Sequence, residues 1–150
     1  MTKNDIINQQ ILRELTANGR ISNLELAERI GLSPSACLRR VQELERQGVI
    51  RGYRAVLDPQ AMGVGFVTYI GVGLNEHSKA AQEAFERAMQ IAPEVVECHN
   101  ITGTIEYLMR VECADLPSYK RFHTDVLGTA PHVNAITSYV VMGSPKDQRS

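Results

Sequence analysis

Ile21-Ser22-Asn23-Leu24-Glu25-Leu26-Ala27-Glu28-Arg29-Ile30-Gly31-Leu32-Ser33-Pro34 contains a helix start, a helix stop and a second helix start. Ser22 is placed to accept a hydrogen bond from the amide of Glu25, and the Glu25 carboxylate to reach back to the amide of Ser22. Ile21 and Leu26 occupy the positions of a hydrophobic staple. The helix then runs about two turns with Leu26, Ala27 and Ile30 on one face, and Gly31 suits a left-handed stop. Ser33 caps a second helix with Pro34 in its first turn, where a missing N–H costs nothing. Cys37, Val41 and Leu44 form its narrow inward stripe, and Gly48 ends it. Two short helices joined by so tight a turn must cross steeply, as in a helix-turn-helix whose second helix enters a major groove.

The outward face of the second helix carries Ser35, Leu38, Arg39 and Gln42, with Arg40 at its edge. Small residues there, starting from Ser33 and Pro34, allow close approach to a duplex. Arg39 and Gln42 can reach base edges, and Arg40 and Arg46 can hold phosphates. Arg51 and Arg54 extend the positive charge along Gly48–Leu57, which reads as a wing-like strand. The alternative is a three-helix packing module whose arginines are merely solvated.

The formal charge of −1 hides a split. Residues 1–58 carry nine Lys/Arg against seven Asp/Glu, net +2, and residues 59–150 carry seven against ten, net −3. So modest a field implies few contacts per subunit and favours a multimeric binder. Met1-Thr2-Lys3-Asn4-Asp5 leads straight into an amphipathic helix with Ile7, Ile11, Leu12 and Leu15 inward, so no secretion signal is expected. The uncharged stretch Pro59–Asn75 is glycine-broken and shorter than the roughly 20 residues of a membrane span. The expected location is the cytoplasm, in association with the nucleoid. Cys37, Cys98 and Cys113 read as buried, reduced thiols. Neither they nor His77, His99, His123 and His132 show ligand spacing, so no metal is expected.

Pro59 marks a boundary between a first domain, 1–60, and a second, 61–150. The second reads as strand Phe66–Leu74, helix Ser78–Ala92, strands Val95–Ile101 and Glu106–Cys113, helix Leu116–Leu127 and strand Val133–Met142. In the second helix Tyr119, Phe122 and Val126 are expected to face inward. This β-α-β-β-α-β order is that of a ferredoxin-like unit, with both helices on one sheet face. The class is α+β. The other sheet face, around Val67 and Tyr69, then needs a cover, which a second subunit can supply.

Motifs in both halves carry a resemblance. They are Asn18-Gly19-Arg20-Ile21-Ser22-Asn23, Gly31-Leu32-Ser33-Pro34, Arg40-Val41, Leu44-Glu45-Arg46-Gln47-Gly48, Gly52-Tyr53, Glu97-Cys98-His99, Glu106-Tyr107-Leu108 and Tyr139-Val140-Val141-Met142. Over nearly its whole length the chain resembles the Lrp/AsnC (feast/famine) family of transcription regulators. The resemblance implies a winged helix-turn-helix joined to an effector and oligomerisation domain, dimers pairing through their sheets and assembling to octamers, and an amino-acid effector bound between dimers. Its effector positions correspond to Gly103, Thr104, Ile105, Glu106, Tyr107, Tyr139, Val140 and Val141. Backbone N–H groups near Gly103 would take the ligand carboxylate and Glu106 its ammonium. No cofactor or catalytic residue is implied. Two departures stand out. The family loop commonly reads Gly-Asp-x-Asp where this chain has Gly103-Thr104-Ile105-Glu106, and Asn8 replaces a frequent Asp, with an effect expected on capping or packing. Two further readings compete: an effector-independent DNA compactor, and a small amino-acid-processing enzyme using Cys98, His99 and Glu106.

Overall fold

The computed structural model describes residues 3–147, with side chains from residue 6 onward. The opening Met1-Thr2 and the last three residues of the second expected domain lie outside the described residues. The chain separates into two compact units, Met1–Ala55 and Val56–Ser150, each with its own core.

The first unit holds α1 (Lys3–Ala17), α2 (Asn23–Ile30) and α3 (Pro34–Arg46). Ile11, Leu26, Ala27, Cys37 and Leu44 are its buried centre, with Ile7, Leu12, Leu15, Ile21, Ile30 and Val41 packed around them. The helix punctuation expected from the sequence forms. Ser22 Oγ accepts from the Glu25 amide at 3.1 Å and Ser33 Oγ from the Ala36 amide at 3.3 Å. Gly31 adopts φ 69°, and the Leu32 amide donates to Ala27 O at 2.9 Å, so the chain reverses within a few residues. Half of the capping box is missing. The Glu25 carboxylate turns to Arg29 instead (2.7 Å), and Arg29 also reaches Glu14 of α1 at 2.8 Å. A charged partner one turn away wins over the neutral amide of Ser22.

No strand forms over Gly48–Leu57. Val49, Tyr53, Val56 and Leu57 are all more than half exposed, because a lone extended segment has no neighbouring strand in this chain to pair with.

The second unit is a four-stranded antiparallel sheet of order β2-β3-β1-β4, from β1 (Phe66–Leu74), β2 (Val95–Asn100), β3 (Tyr107–Cys113) and β4 (Val133–Val140). Ile70, Val72, Met109 and Val111 line the face covered by α4 (Lys79–Gln90) and α5 (Leu116–Arg121), with Phe85, Met89, Tyr119, Phe122 and Leu127 completing one core. Val67, Tyr69 and Arg110 lie on the other face, which α4 and α5 leave uncovered. The last strand ends at Val140 rather than Met142.

The expected helix Leu116–Leu127 changes winding at Arg121, and Phe122–Leu127 is π-helical, with the Gly128 amide donating to His123 O at 2.8 Å. Residues five apart would diverge by about 140° around an α-helix. The wider turn brings Phe122 and Leu127 to the same side, 2% and 0% exposed, and Val126 is left only partly covered. Cys98 also departs from expectation. It is exposed, because β2 is an edge strand, whereas Cys37 and Cys113 are buried. Among the described residues no helix is long and apolar enough to cross a membrane.

Candidate nucleic-acid interface and ligand region

Helix α3 is positioned from its N-terminal end. Beyond the Ser33 cap, Asn23 Nδ2 donates to Pro34 O at 2.9 Å and ties the start of α2 to the start of α3. The sequence reading missed this brace. The only signal was an Asn immediately after a helix cap, a placement with many other uses. With Cys37 and Leu44 sunk into the core, Ser33, Pro34, Ser35, Leu38, Arg39 and Gln42 are all exposed. Leu38 is 45% exposed, an apolar residue turned outward between two polar neighbours. Arg39 has no hydrogen bond or ion pair among the described residues.

The two arginines expected on phosphates are engaged within the chain. Arg40 is half-buried and donates to Asn8 Oδ1 of α1 at 3.2 Å, so Asn8 holds one of the candidate DNA-contacting arginines. Arg46 grips Glu43 with two hydrogen bonds, Nε–Oε2 at 2.8 Å and Nη2–Oε1 at 2.6 Å. The Arg46 guanidinium and the Gln47 amide hold the Glu43 carboxyl down at about 2, below the usual carboxylate range. Its interaction with Arg46 is therefore complete above the ordinary carboxylate range near ~4.3, and is lost only as pH falls toward the depressed value. Any phosphate that Arg46 is to hold has to compete with Glu43 for it. Glu43→Gln should release the guanidinium, tighten binding to random duplex and steepen its salt dependence by about one phosphate contact. Fluorescence anisotropy across a salt series reads this, and an unchanged slope would mean Arg46 stays off the DNA.

In the second unit the expected ligand positions divide into three places. Gly103, Thr104, Ile105 and Glu106 form the loop between β2 and β3, with Gly103 at φ 134°. The loop folds back over β1. A Cβ at Gly71 would lie 2.6 Å from Ile105 Cδ1, so the tip of Ile105 rests where a larger residue would push it aside. The Glu106 side chain is 16% exposed, its Oε2 accepting from the Leu74 amide at 2.7 Å and its Oε1 lying 3.1 Å from His77 Nδ1. The carboxylate expected to await an ammonium is thus already partnered.

Tyr107 points to the opposite side of the sheet. It is 1% exposed, its ring 4.7 Å from that of Phe85, and its hydroxyl donates to Glu86 Oε1 at 2.7 Å. Burial and Glu86 push that phenol up to about 12. Alternation along β3 sends Tyr107 into the core, away from Glu106.

Tyr139, Val140 and Val141 line a cavity of about 720 Å³ with Val67, Tyr69 and Arg110, the Arg110 guanidinium standing 5.9 Å from the Tyr69 ring centre. Tyr139 pairs with Tyr69 and Ala135 with Gly73. Glu106 Oε2 lies beside Gly73, so Tyr139 and Glu106 are about four residues, or ~13 Å, apart along β1.

The enzyme reading loses its constellation. Cys98 and His99 point to opposite faces of β2, His99 lies 3.4 Å from Glu97, and Glu106 is held by Leu74 and His77. Although the residue is exposed, desolvation by the atoms around its sulfur and the Glu86 carboxylate push the Cys98 thiol up to about 11, away from the reactive thiolate.

A winged helix-turn-helix DNA-binding family matches residues 4–51, and the Lrp/AsnC ligand binding domain matches residues 67–150. The leucine-responsive regulatory protein of Escherichia coli K12 is 40% identical over 142 residues, 95% of this chain and 87% of that protein, and that of Klebsiella pneumoniae matches equally. A transcriptional regulator from Neisseria meningitidis, solved as a complex with L-Met, superposes with TM-score 0.91 at 35% identity, over 98% of this chain and 93% of its own. An AsnC family regulator from Agrobacterium tumefaciens gives 0.89 at 28% identity, over 98% and 94%.

Proposed function

Because this chain belongs to the Lrp/AsnC family, as a DNA-binding transcriptional regulator with an amino-acid ligand-binding domain, we propose that an amino acid held between dimers sets which assembly forms and thereby which DNA is bound. The observation that carries the DNA side is the outward surface of α3, where Ser33, Pro34, Ser35, Leu38, Arg39 and Gln42 stand exposed on a helix capped and braced at its N-terminal end. Arg39 and Gln42 read base edges, Leu38 meets a thymine methyl, and Arg40 and Arg46 approach phosphates once their internal partners yield. Two copies of α3 enter successive major grooves about 34 Å apart. Residues 1–60 form the DNA-binding domain and 61–150 the ligand-binding and oligomerisation domain.

The sheet face bearing Val67, Tyr69, Arg110 and Tyr139 pairs with that of a second copy, and dimers gather into an octamer acting on nucleoid DNA in the cytoplasm. The loop Gly103–Glu106 supplies ligand contacts from one subunit, Tyr139, Val140 and Val141 reach the same ligand only from a neighbouring one, and Tyr107 supports the loop from the core. The L-Met bound by the Neisseria meningitidis relative makes L-methionine the first probe. The ligand shifts the assembly only by its difference in affinity between the two states.

Sedimentation velocity with and without L-methionine and then each other proteinogenic amino acid, alongside site selection from random duplex, tests the reading. A ligand-dependent change of association state that also changes affinity for the selected site is the expected result. Indifference of both to every amino acid would instead leave an architectural DNA-binding protein.

A further inference from the structure

We propose that His77 sets the affinity of the amino-acid site by competing with the ligand's α-ammonium for Glu106, a role that rests on the ligand reading above. Glu106 is the only carboxylate in the loop Gly103–Glu106, so its free valence decides how well an ammonium is held. Its position is fixed from β1: its amide donates to Val72 O at 3.0 Å, and Ile105 beside it lies over Gly71. Oε2 accepts the Leu74 amide at 2.7 Å, which leaves Oε1 as the less committed acceptor for an incoming ammonium.

His77 stands at that oxygen, with Nδ1 3.1 Å away. Its side chain is 80% exposed, so it can swing aside without disturbing the core. The contact is at ion-pair distance without hydrogen-bond alignment, and an imidazole N–H turned toward Oε1 asks for the same acceptor as an ammonium. When the imidazole is charged, two cations meet at one carboxylate and repel each other. The other charged groups of this connection are committed elsewhere: Glu76 Oε2 lies 3.7 Å from His132 Nδ1, and Lys79 Nζ lies 3.6 Å from Glu83. His77 is therefore the group that tunes Glu106. The longer reach of Glu, compared with the Asp common in the family, allows one carboxylate to span Leu74 and His77.

The test is calorimetric titration of the full-length protein with L-methionine, followed by the remaining proteinogenic amino acids if it does not bind. A parallel series uses the des-amino analogue of the amino acid that binds, which lacks the ammonium. H77A should bind the amino acid about threefold to tenfold more tightly and H77K about tenfold more weakly, with H77Q between them. The des-amino analogue should bind all variants alike, within about twofold. Unchanged melting curves by circular dichroism would show that the fold is intact. Equal amino-acid affinity in H77A, H77K and the wild type would overturn the role of His77 while leaving the ligand site standing. Equal shifts for amino acid and analogue would also overturn it, since the effect would then not pass through the ammonium. Failure of every amino acid to bind the wild type would end both this proposal and the ligand reading.

Discussion

Arg39→Ala should lower affinity for a selected operator by about 1–3 kcal/mol per contacted base pair and leave binding to random duplex nearly unchanged. The expectation follows from where the side chain stands. Arg39 is exposed on the outer face of α3 beside Leu38 and Gln42, and among the described residues its guanidinium has no internal partner to leave behind. Among the described residues no contact has to be broken to free it for a base edge. Arg40 and Arg46 differ in this respect, since Asn8 holds one and Glu43 the other. Their loss should weaken all sequences alike, and by less, because part of the gain on DNA is offset by the internal contact given up. Repeating site selection with the Arg39→Ala protein measures this directly. An unchanged consensus with uniformly weaker binding would assign Arg39 to the phosphates.

Phe85→Ala should destabilise the second unit by about 3–5 kcal/mol, a large share of the 5–15 kcal/mol that holds a domain together. Phe85 is fully buried and packs on Tyr107, whose hydroxyl is in turn anchored on Glu86 of the same helix. Truncation leaves a cavity under β3, the strand that follows the Gly103–Glu106 loop. The first unit has a separate core in which none of these residues takes part. Calorimetry should therefore show the transition of the second unit falling by about 10 °C or more. Amides of α1, α2 and α3 should keep their hydrogen-exchange protection. A shift of a few degrees, or equal loss of protection in both units, would mean that the two cores do not melt independently.

The helix-turn-helix was legible because its information is local. Ser22, Gly31, Ser33 and Pro34 act on backbone groups within four residues of themselves, so their effects do not wait for distant parts of the chain. The alternation in Phe66–Leu74 was legible for a related reason: a strand repeats every two residues whatever it packs against. Where a charged side chain had a choice, locality failed. Glu25 had two candidate partners, and Arg29 with its own link to Glu14 decided between them. The π-helical turn at Phe122–Leu127 was equally invisible, because only the shape of the core asks for two residues five apart on one side.

The candidate ligand residues show the same division. Gly103 and Glu106 were named because the family resemblance puts the effector at the loop they share, and the structure keeps the two in one loop. Tyr107 sits next to Glu106 in sequence and across the sheet from it in space, while Tyr139 lies on the loop's side of the sheet but far along it. By itself, then, the amino-acid order determined the helix-turn-helix, the β-α-β-β-α-β order of the second half and the polar side of α3, since caps, turns and hydrophobic periods act over a few residues. Tertiary structure alone decided that Asn8 holds Arg40, that Arg29 reaches Glu14 and that His77 faces Glu106. A charged group bonds to whatever partner folding brings within about 3 Å, and that proximity is a property of packed elements rather than of neighbours along the chain.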